Sequence, residues 1–276
     1  MEFVFRRSYR GKIKAAILDW AGTTIDYGCF APVAAFVRAF EAHGVPITVA
    51  QARTPMGMGK RDHIRTITRM EPVAELWHTV YHRFCTEADV DSLHQSFESQ
   101  LIEVIADYAE VIPGTVETME KFRARGMHLG STTGYTRALM TRVIPEAKRR
   151  GYSPDWVVCV DEVPAGRPAP WMALQCMIDL GVFPAEAIVK IGDTVPDIEE
   201  GLNSGMWTIA IVKTGNEMGL RETEIAQLDA ATYQTRYEQA QRRLAHAAPH
   251  YIVESIAECD AVINDLNDRI ARGERP

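Results

Sequence analysis

The stretch IKAAILDWAGTT, residues 13–24, joins a short apolar run to one carboxylate and then to a turn rich in glycine and threonine. Apolar runs of this length are typical of strands buried on both faces of a parallel sheet. Asp19 follows the strand predicted at residues 13–18, and open α/β sheets bind ligands beyond the carboxyl ends of such strands. Ala21, two residues further on, carries no functional group, and this absence needs an explanation.

Strands and helices alternate along most of the remaining chain. This alternation predicts a parallel sheet covered by helices on both faces, which is a three-layer α/β fold. One helix is predicted from Pro32, a favoured first-turn residue, to Gly44, and a short one after Asp197. The other predicted strands are residues 127–132, 155–160, 187–193 and 206–212, with an edge strand at 249–253.

Residues 29–108 interrupt this alternation, because they contain helical segments and no good candidate for a strand. Connections in α/β units are usually much shorter, so the segment is predicted to be an inserted helical domain. Because it follows the first strand directly, it should lie over the ligand-binding edge of the sheet as a cap. The predicted domains are an α/β core of residues 1–28 and 109–276 and a helical cap of residues 29–108.

The composition argues against several functional classes. A net charge of −7 over 276 residues argues against general nucleic-acid binding, which favours a basic surface. The sequence contains no apolar run long enough to span a membrane and no visible secretory signal. Five cysteines without a CxxC pair fit a reducing compartment better than a disulfide framework. We therefore expect a cytoplasmic protein without nucleic-acid or membrane partners.

Polar side chains follow four of the predicted strands in chain order. Asp19 follows the first, Thr133 the second and Arg167 the third, while Asp193 and Asp197 follow the fourth. Alone, each acid or threonine is more often a turn or capping residue, and Arg167 beside a proline is more often a surface residue. Together, at one edge of a parallel sheet, they favour phosphoryl transfer, because a carboxylate can act as nucleophile, an acidic pair can hold Mg²⁺, and a cation and a hydroxyl can bind phosphoryl oxygens.

The motifs DWAGT, STTGYT, GRPAP and GDTVPD, in this order, resemble those of the haloacid-dehalogenase-like phosphotransferase superfamily. The resemblance implies a Rossmann-like core, an aspartate nucleophile and Mg²⁺. The chain departs from the usual phosphatase pattern at two positions, since Ala21 replaces the second aspartate of Asp-x-Asp and Arg167 replaces a lysine. The methyl group of Ala21 cannot act as a general acid, which argues against an ordinary phosphate-ester hydrolase.

Lys60 lies in the cap segment TPMGMGKRDHIRTI, at the start of a predicted helix. The helix N-terminus and nearby cations are expected to disfavour its ammonium form, so that the free amine becomes available. An amine that forms an imine with an aldehyde can accept electrons from a breaking P–C bond, and this chemistry needs no acid at position 21. A cap lysine alone is more often a solvated surface residue.

Longer strings resemble the phosphonoacetaldehyde hydrolase family over nearly the whole chain, and they are DWAGTTIDYGCFAP, PMGMGKRDH, GSTTGYTR, VPAGRPAPW and GDTVPDIEEG. The resemblance implies hydrolysis of the P–C bond of a small phosphonate, through a Schiff base on Lys60 and an aspartyl-phosphate on Asp19. It also implies Mg²⁺ bound by Asp19, the backbone carbonyl of Ala21 and Asp193, with Asp197 orienting these ligands. A homodimer is typical of the family, and the aromatic cap residues Trp77 and Phe84 are either interface or core.

The remaining candidates would surround the substrate. The resemblance places Thr133 and Arg167 at the phosphoryl oxygens. Four further residues have weaker assignments: His63 moves protons or packs in its helix, Tyr135 positions a water or a phosphoryl oxygen, Cys29 packs at the entrance to the cap, and Met56 shapes the imine pocket. Two alternatives stay open, namely a phosphate-ester phosphatase or phosphomutase of the same superfamily, and a catalytically inactive ligand-sensing or scaffold protein.

Overall fold

The sheet contains six strands within the residues that the computed structural model describes, which are 8–56 and 58–276. The strand order is β3-β2-β1-β4-β5-β6, and every pairing in this described part is parallel. The predicted strands are confirmed, including the edge strand, although the first begins at Ala15 instead of Ile13. Their bounds are β1 Ala15–Leu18, β2 His128–Thr133, β3 Trp156–Cys159, β4 Ile188–Gly192, β5 Trp207–Ile211 and β6 Tyr251–Val253.

Helices cover both faces of the sheet because successive side chains of a strand point in opposite directions. On β1, Ala16 and Leu18 belong to a core cluster with residues of α6 and α12, whereas Ala15 and Ile17 belong to a cluster with residues of α8. The core helices are α6 Thr115–Ala124, α7 Arg137–Arg149, α8 Trp171–Asp179, α9 Val195–Asn203, α10 Glu222–Ala226, α11 Ala230–Ala245 and α12 Cys259–Ala271.

The insert between β1 and β2 is helical, as predicted, and it forms the cap. Its helices are α1 Phe30–Ala42, α2 Val49–Arg53, α3 Lys60–Thr68, α4 Glu71–Tyr81 and α5 Glu87–Val104, followed by a 3₁₀ helix at Ile105–Tyr108. The rings of Phe36 on α1 and Phe97 on α5 stack at 4.2 Å between centroids. Trp77 is fully buried and therefore belongs to the hydrophobic interior of the cap, whereas Phe84 is 70% exposed. The exact domain boundaries stay a prediction.

Two helices begin earlier than predicted, and side-chain capping explains both differences. The carboxylate of Asp26 accepts hydrogen bonds from the backbone N–H groups of Phe30 and Ala31, both at 3.0 Å, so α1 begins two residues before Pro32. The hydroxyl of Thr194 accepts from the N–H of Asp197, so α9 begins before Asp197 and not after it. Asp197 consequently lies in the first turn of α9.

Within residues 8–56 and 58–276, no helix combines the length and the hydropathy that crossing a bilayer requires.

Candidate active site

Three buried carboxylates meet at the carboxyl edge of the sheet. Asp19 follows β1, and Asp193 and Asp197 follow β4. Each offers a ligand oxygen, and these oxygens all lie within 4.8 Å of one another. The parallel pairing of β1 with β4 is responsible, since it brings the ends of both strands to the same place. The predicted convergence of these three acids is therefore present in the structure.

Arg167 closes one side of this acidic cluster. Its Nη1 lies 2.7 Å from Oδ1 of Asp19 and 2.8 Å from Oδ1 of Asp197. Its Nη2 donates to the backbone oxygen and to the hydroxyl of Thr132, both at 2.9 Å. The guanidinium is almost completely buried, and although burial opposes its charge, Asp197, Asp19 and Glu200 raise its pKa. Arg167 is therefore a fixed cation beside the oxygen of Asp19.

Lys190 and Glu200 belong to the same network, and neither was predicted from the sequence. The Nζ of Lys190 lies 3.0 Å from Oδ1 of Asp197 and 3.2 Å from Oε2 of Glu200. Both side chains are fully buried. A signal for Lys190 was present, because a lysine in the middle of an apolar central strand cannot reach water and needs a buried partner. Glu200 gave only a weak signal, its position three residues after Asp197 on one helix face.

The charges of the network fit a divalent cation. Asp19, Asp197 and Glu200 form ion pairs with two buried cations, Arg167 and Lys190. Asp193 adds a further buried carboxylate to the acidic cluster. Burial and the neighbouring Asp19 raise the pKa of Asp193 well above its ordinary value, whereas a bound cation favours the ionised carboxylates. Asp193 is also held in place, since it accepts from the hydroxyl of Thr23 at 2.9 Å and from the N–H of Asn216 at 2.8 Å. The acidic cluster can therefore hold a metal ion.

Asp19 and Asp197 differ in their electrostatic surroundings. Burial and the charge of Asp197 raise the pKa of Asp19, against the opposing effects of Arg167 and Lys190. Burial also disfavours the charge of Asp197, yet Arg167 and Lys190 together hold its pKa below the ordinary value. Asp197 thus serves as the permanent counter-ion of the two cations. Asp19 lines the cavity and forms one ion pair among the described residues, with Arg167.

The turn after Asp19 needs a glycine for a steric reason. Gly22 has a φ of +85°, and a Cβ at this position would lie 2.4 Å from Oδ2 of Asp193 and 2.5 Å from Sγ of Cys29. Backbone and carboxylate can approach this closely only without a side chain. The Gly/Thr-rich turn therefore lets the chain pass directly beside the acidic cluster, with Ala21 at the cavity.

Lys60 is the first residue of α3 and is only 7% exposed. Its Nζ lies 5.0 Å from the ring centroid of Tyr135 and 5.7 Å from that of Phe36. Burial lowers the pKa of Lys60 to about 8, although Asp19 opposes this effect. The expected direction of the shift is present, but its largest cause is burial. Arg61, the neighbouring cation, instead makes exposed ion pairs.

A small cavity of about 30 Å³ lies between the cap and the sheet edge. Residues of both parts line it, so the structure brings Lys60 of the cap and Asp19 of the core to one space. Asp193 and His63 are the two candidates that do not line it. Those that do are Asp19, Ala21, Cys29, Met56, Lys60, Thr133, Tyr135, Arg167 and Asp197.

His63 packs inside the cap. Its ring stacks on Phe36 at 3.9 Å between centroids, and its Nε2 is 2.8 Å from the backbone oxygen of Ala52. Its Nδ1 has no hydrogen-bond partner among the described residues. Burial and the nearby Lys60 lower the pKa of His63 well below its ordinary value, so the ring is neutral and Nε2 carries the proton. This hydrogen bond ties α3 to α2.

The other candidates have defined neighbours as well. The Sγ of Cys29 lies 3.5 Å from Oδ2 of Asp193, and burial raises the pKa of this thiol well above its ordinary value. Cys29 is therefore a thiol and not a thiolate. The hydroxyl of Thr133 accepts from the N–H of Tyr135 at 3.1 Å, and burial raises the pKa of Tyr135. Met56 is buried at the cavity wall.

Known proteins resemble this chain over nearly its whole length. The family model of haloacid dehalogenase-like hydrolases matches residues 13–205, and a model of HAD-hydrolase-like domains matches residues 164–259. A phosphonoacetaldehyde hydrolase of Nitratidesulfovibrio vulgaris is 47% identical, with 99% of this chain and 98% of the relative covered. A phosphonoacetaldehyde hydrolase-like protein of Syntrophobacter fumaroxidans is 46% identical, with 99% of both chains covered.

Among solved structures, a phosphonoacetaldehyde hydrolase-like protein from Oleispira antarctica superposes with a TM-score of 0.97. It is 38% identical, and the match covers 100% of both chains. The helical cap and the parallel sheet thus occur together in a homologue along the whole chain. The protein belongs to the phosphonoacetaldehyde hydrolase family of the haloacid dehalogenase-like hydrolases.

Proposed function

We propose that this protein hydrolyses the P–C bond of phosphonoacetaldehyde to acetaldehyde and phosphate. The observation that carries the proposal is the shared cavity of Asp19 and Lys60, in which a lysine of low pKa faces the site while position 21 offers only a methyl group. Two relatives are more than 40% identical over nearly their whole length. One is named phosphonoacetaldehyde hydrolase and the other phosphonoacetaldehyde hydrolase-like protein. Asp19 together with Lys60 suits a reaction in which the leaving group departs through a carbon atom.

In the proposed reaction, the amine of Lys60 attacks the aldehyde carbon, and loss of water gives a protonated imine. A carboxylate oxygen of Asp19 then forms a bond to phosphorus while the P–C bond breaks. The electron pair of that bond moves into a C=C bond, and the imine nitrogen accepts the displaced pair, which gives an enamine on Lys60. Water hydrolyses the aspartyl-phosphate, and protonation of the enamine carbon followed by imine hydrolysis releases acetaldehyde.

Arg167 and Thr133 are proposed to bind the phosphoryl oxygens. Arg167 already touches Oδ1 of Asp19, so a phosphoryl group at Asp19 would lie beside the guanidinium. A fixed cation in a buried site stabilises charge that develops on these oxygens. The ion pairs of Arg167 with Asp197 and Glu200 keep the guanidinium in this orientation.

Mg²⁺ is the cofactor that we propose for the acidic cluster. Asp19, the backbone carbonyl of Ala21 and Asp193 would hold it, and oxygen ligands of this kind suit a hard cation. When bound, the ion would neutralise charge on the carboxylates and on the phosphoryl group. Asp197 forms ion pairs with Arg167 and Lys190. This fits a role in orienting the ligands of Mg²⁺ and not in binding the ion directly.

Four residues around Lys60 are proposed to assist. Met56 and Tyr135 shape the cavity, and Tyr135 would position a water or a phosphoryl oxygen. Cys29, as a thiol beside Asp193, would pack at the cap entrance. His63 is neutral and could exchange protons with Lys60 only through water, since its Nε2 is bound to the backbone of Ala52.

The homodimer and the cytoplasmic location remain proposals that rest on the family resemblance and on composition. Trp77 is not available as an interface residue because it is buried inside the cap, but Phe84 is exposed. Light scattering coupled to size-exclusion chromatography would measure the molar mass, and a mass near the 30.9 kDa of one chain would contradict the dimer.

The decisive experiment measures phosphate release from phosphonoacetaldehyde and from p-nitrophenyl phosphate, with Mg²⁺ and with EDTA. We expect Mg²⁺-dependent release from the phosphonate and little from the ester. Lys60→Arg should fold normally but lose activity, because a guanidinium does not form the imine. Lys121→Arg, at an exposed position of α6, should leave activity unchanged. Borohydride with substrate should attach a two-carbon adduct to Lys60, detectable by peptide mass spectrometry. Faster turnover of the ester would favour the phosphatase alternative, and wild-type turnover by Lys60→Arg would refute the mechanism.

A further inference from the structure

Arg53, at the end of α2 in the cap, makes a reciprocal contact with Asn216 of the core. Its Nη1 lies 3.2 Å from Oδ1 of Asn216, and the Nδ2 of Asn216 lies 3.3 Å from the backbone oxygen of Arg53. The same Nη1 donates to the backbone oxygen of Gly28 at 2.7 Å, where the chain leaves the core for the cap. One guanidinium therefore joins the cap, the linker and a core loop.

The surroundings of Arg53 hold it in this position. The ring of Phe30 contacts two guanidinium groups, with that of Arg53 at 5.0 Å and that of Arg221 at 4.3 Å from its centroid. Gly219 has a φ of +59°, and a Cβ there would lie 3.0 Å from the Cζ of Arg53. The core loop thus approaches the guanidinium as closely as a glycine permits.

Both ends of this contact lead to the site. On the core side, the backbone N–H of Asn216 donates to Oδ2 of Asp193 at 2.8 Å. On the cap side, Ala52, which precedes Arg53, accepts the hydrogen bond from His63 of α3, the helix that begins with Lys60. The contact therefore links the helix of Lys60 to a carboxylate of the acidic cluster through four consecutive hydrogen-bonded or covalent steps.

We propose that Arg53 and Asn216 form a clasp that holds the cap in the position where Lys60 lies over Asp19. This inference rests on the proposed function and adds two positioning residues to it. The reason is geometric: Lys60 and Asp19 belong to different parts of the chain, and a misplacement of about 1 Å between reacting groups can cost about 100-fold in rate. The clasp spans the two parts directly and lies outside the cavity that holds the reacting groups.

The variants that test the clasp are Arg53→Ala, Asn216→Ala and the double variant. Asn216→Ala keeps the backbone N–H that Asp193 accepts, so it removes the clasp and leaves the acidic cluster supported. Arg69→Ala, an exposed arginine at the end of α3, is the matched control. Arg53→Lys retains the positive charge but lacks the forked guanidinium group. It replaces Arg53→Ala in the test if Arg53→Ala does not fold. Thermal unfolding of each variant reports whether the fold is intact.

The first measurement does not depend on catalysis. Cys29 is 1% exposed at the cavity beneath the cap, whereas Cys85 is partly exposed on the cap and serves as an internal reference. Alkylation by iodoacetamide, followed by peptide mass spectrometry, gives the ratio of the two rates. We expect this ratio to rise at least about 10-fold in Asn216→Ala, because loss of a hydrogen bond to a charged group shifts an equilibrium by about this factor. Arg53→Ala also removes a cation that lowers the pKa of Cys29, so Asn216→Ala carries this measurement. Arg69→Ala should match the wild type.

The second measurement is kinetic. Each single variant should lower kcat/KM for phosphonoacetaldehyde by about 10-fold to 100-fold and should slow borohydride trapping at Lys60. Because both side chains act through one contact, the double variant should lose no more than the worse single variant. If the wild-type protein releases no phosphate, the proposed function fails, while the alkylation ratio still tests the clasp. The clasp would be refuted if the variants fold and their alkylation ratio and kcat/KM both equal those of the wild type.

Discussion

Lys60→Met should stabilise the protein at neutral pH, and the advantage should disappear as the pH rises. Methionine is unbranched, similar in length and uncharged, so it can occupy the same buried space without the ammonium group. Burial lowers the pKa of Lys60 from 10.5 to about 8. Below pH 8 the amine carries its proton in both the folded and the unfolded chain, and the folded state bears the cost of burying that charge.

The sign and size of this pH dependence of stability follow from proton linkage. Between about pH 8 and pH 10.5 the unfolded chain keeps the proton of Lys60 while the folded chain loses it. Because the unfolded state binds more protons there, the free energy of unfolding of the wild type rises with pH. Integration gives a gain of about 1.4 kcal/mol from pH 7 to pH 9 and about 2.5 kcal/mol from pH 7 to pH 10. Lys60→Met lacks this gain.

The assay is urea unfolding followed by circular dichroism at pH 7, 8, 9 and 10, for the wild type and Lys60→Met in parallel. Lys121→Met, at an exposed position of α6, is the matched control, and its difference from the wild type should stay constant with pH. A difference between wild type and Lys60→Met that is flat from pH 7 to pH 10 would refute the argument that burial lowers the pKa of this lysine.

The lowered pKa of Lys60 also has a direct consequence for the proposed reaction. With a pKa of about 8, about one tenth of the Lys60 amines are free at pH 7, compared with about one in 3,000 at 10.5. Burial thus increases the concentration of the nucleophilic amine about 300-fold at neutral pH. The same side chain should therefore lower stability and make the imine accessible, which is why Lys60→Met is expected to be both more stable and inactive.

Two further predictions concern the core. Ala21→Asp should not increase the turnover of phosphonoacetaldehyde, because no alkoxide leaves that would need a proton; steady-state kinetics would show this, and a large gain would contradict the electron-sink account. Lys190→Met should destabilise the fold by about 3–5 kcal/mol in urea unfolding, because it leaves buried carboxylates without one of their cations, and Lys190→Met/Glu200→Leu should regain part of the loss. Equal losses in the single and double variants would contradict a buried ion pair.

The sequence by itself determined the elements and most of the site. Apolar runs followed by polar residues identified the strands and the carboxylates at their ends, because side-chain type and spacing along the chain encode both. Ala21 and Lys60 were informative for a chemical reason, since a missing acid and an added amine point to the same kind of leaving group. These inferences needed only local spacing within each motif and the order of the motifs along the chain.

Only the tertiary structure decided which charges pair and how the two parts of the chain meet. The partners of Lys190 and Arg167 come from different strands and helices, and the contact of Arg53 with Asn216 joins residues 163 positions apart. The lowered pKa of Lys60 likewise depends on burial under the closed cap. Burial and ion pairing are properties of the folded surroundings of a side chain, which local spacing does not specify. The sequence therefore identified Asp19 and Lys60, and the fold placed them at one cavity.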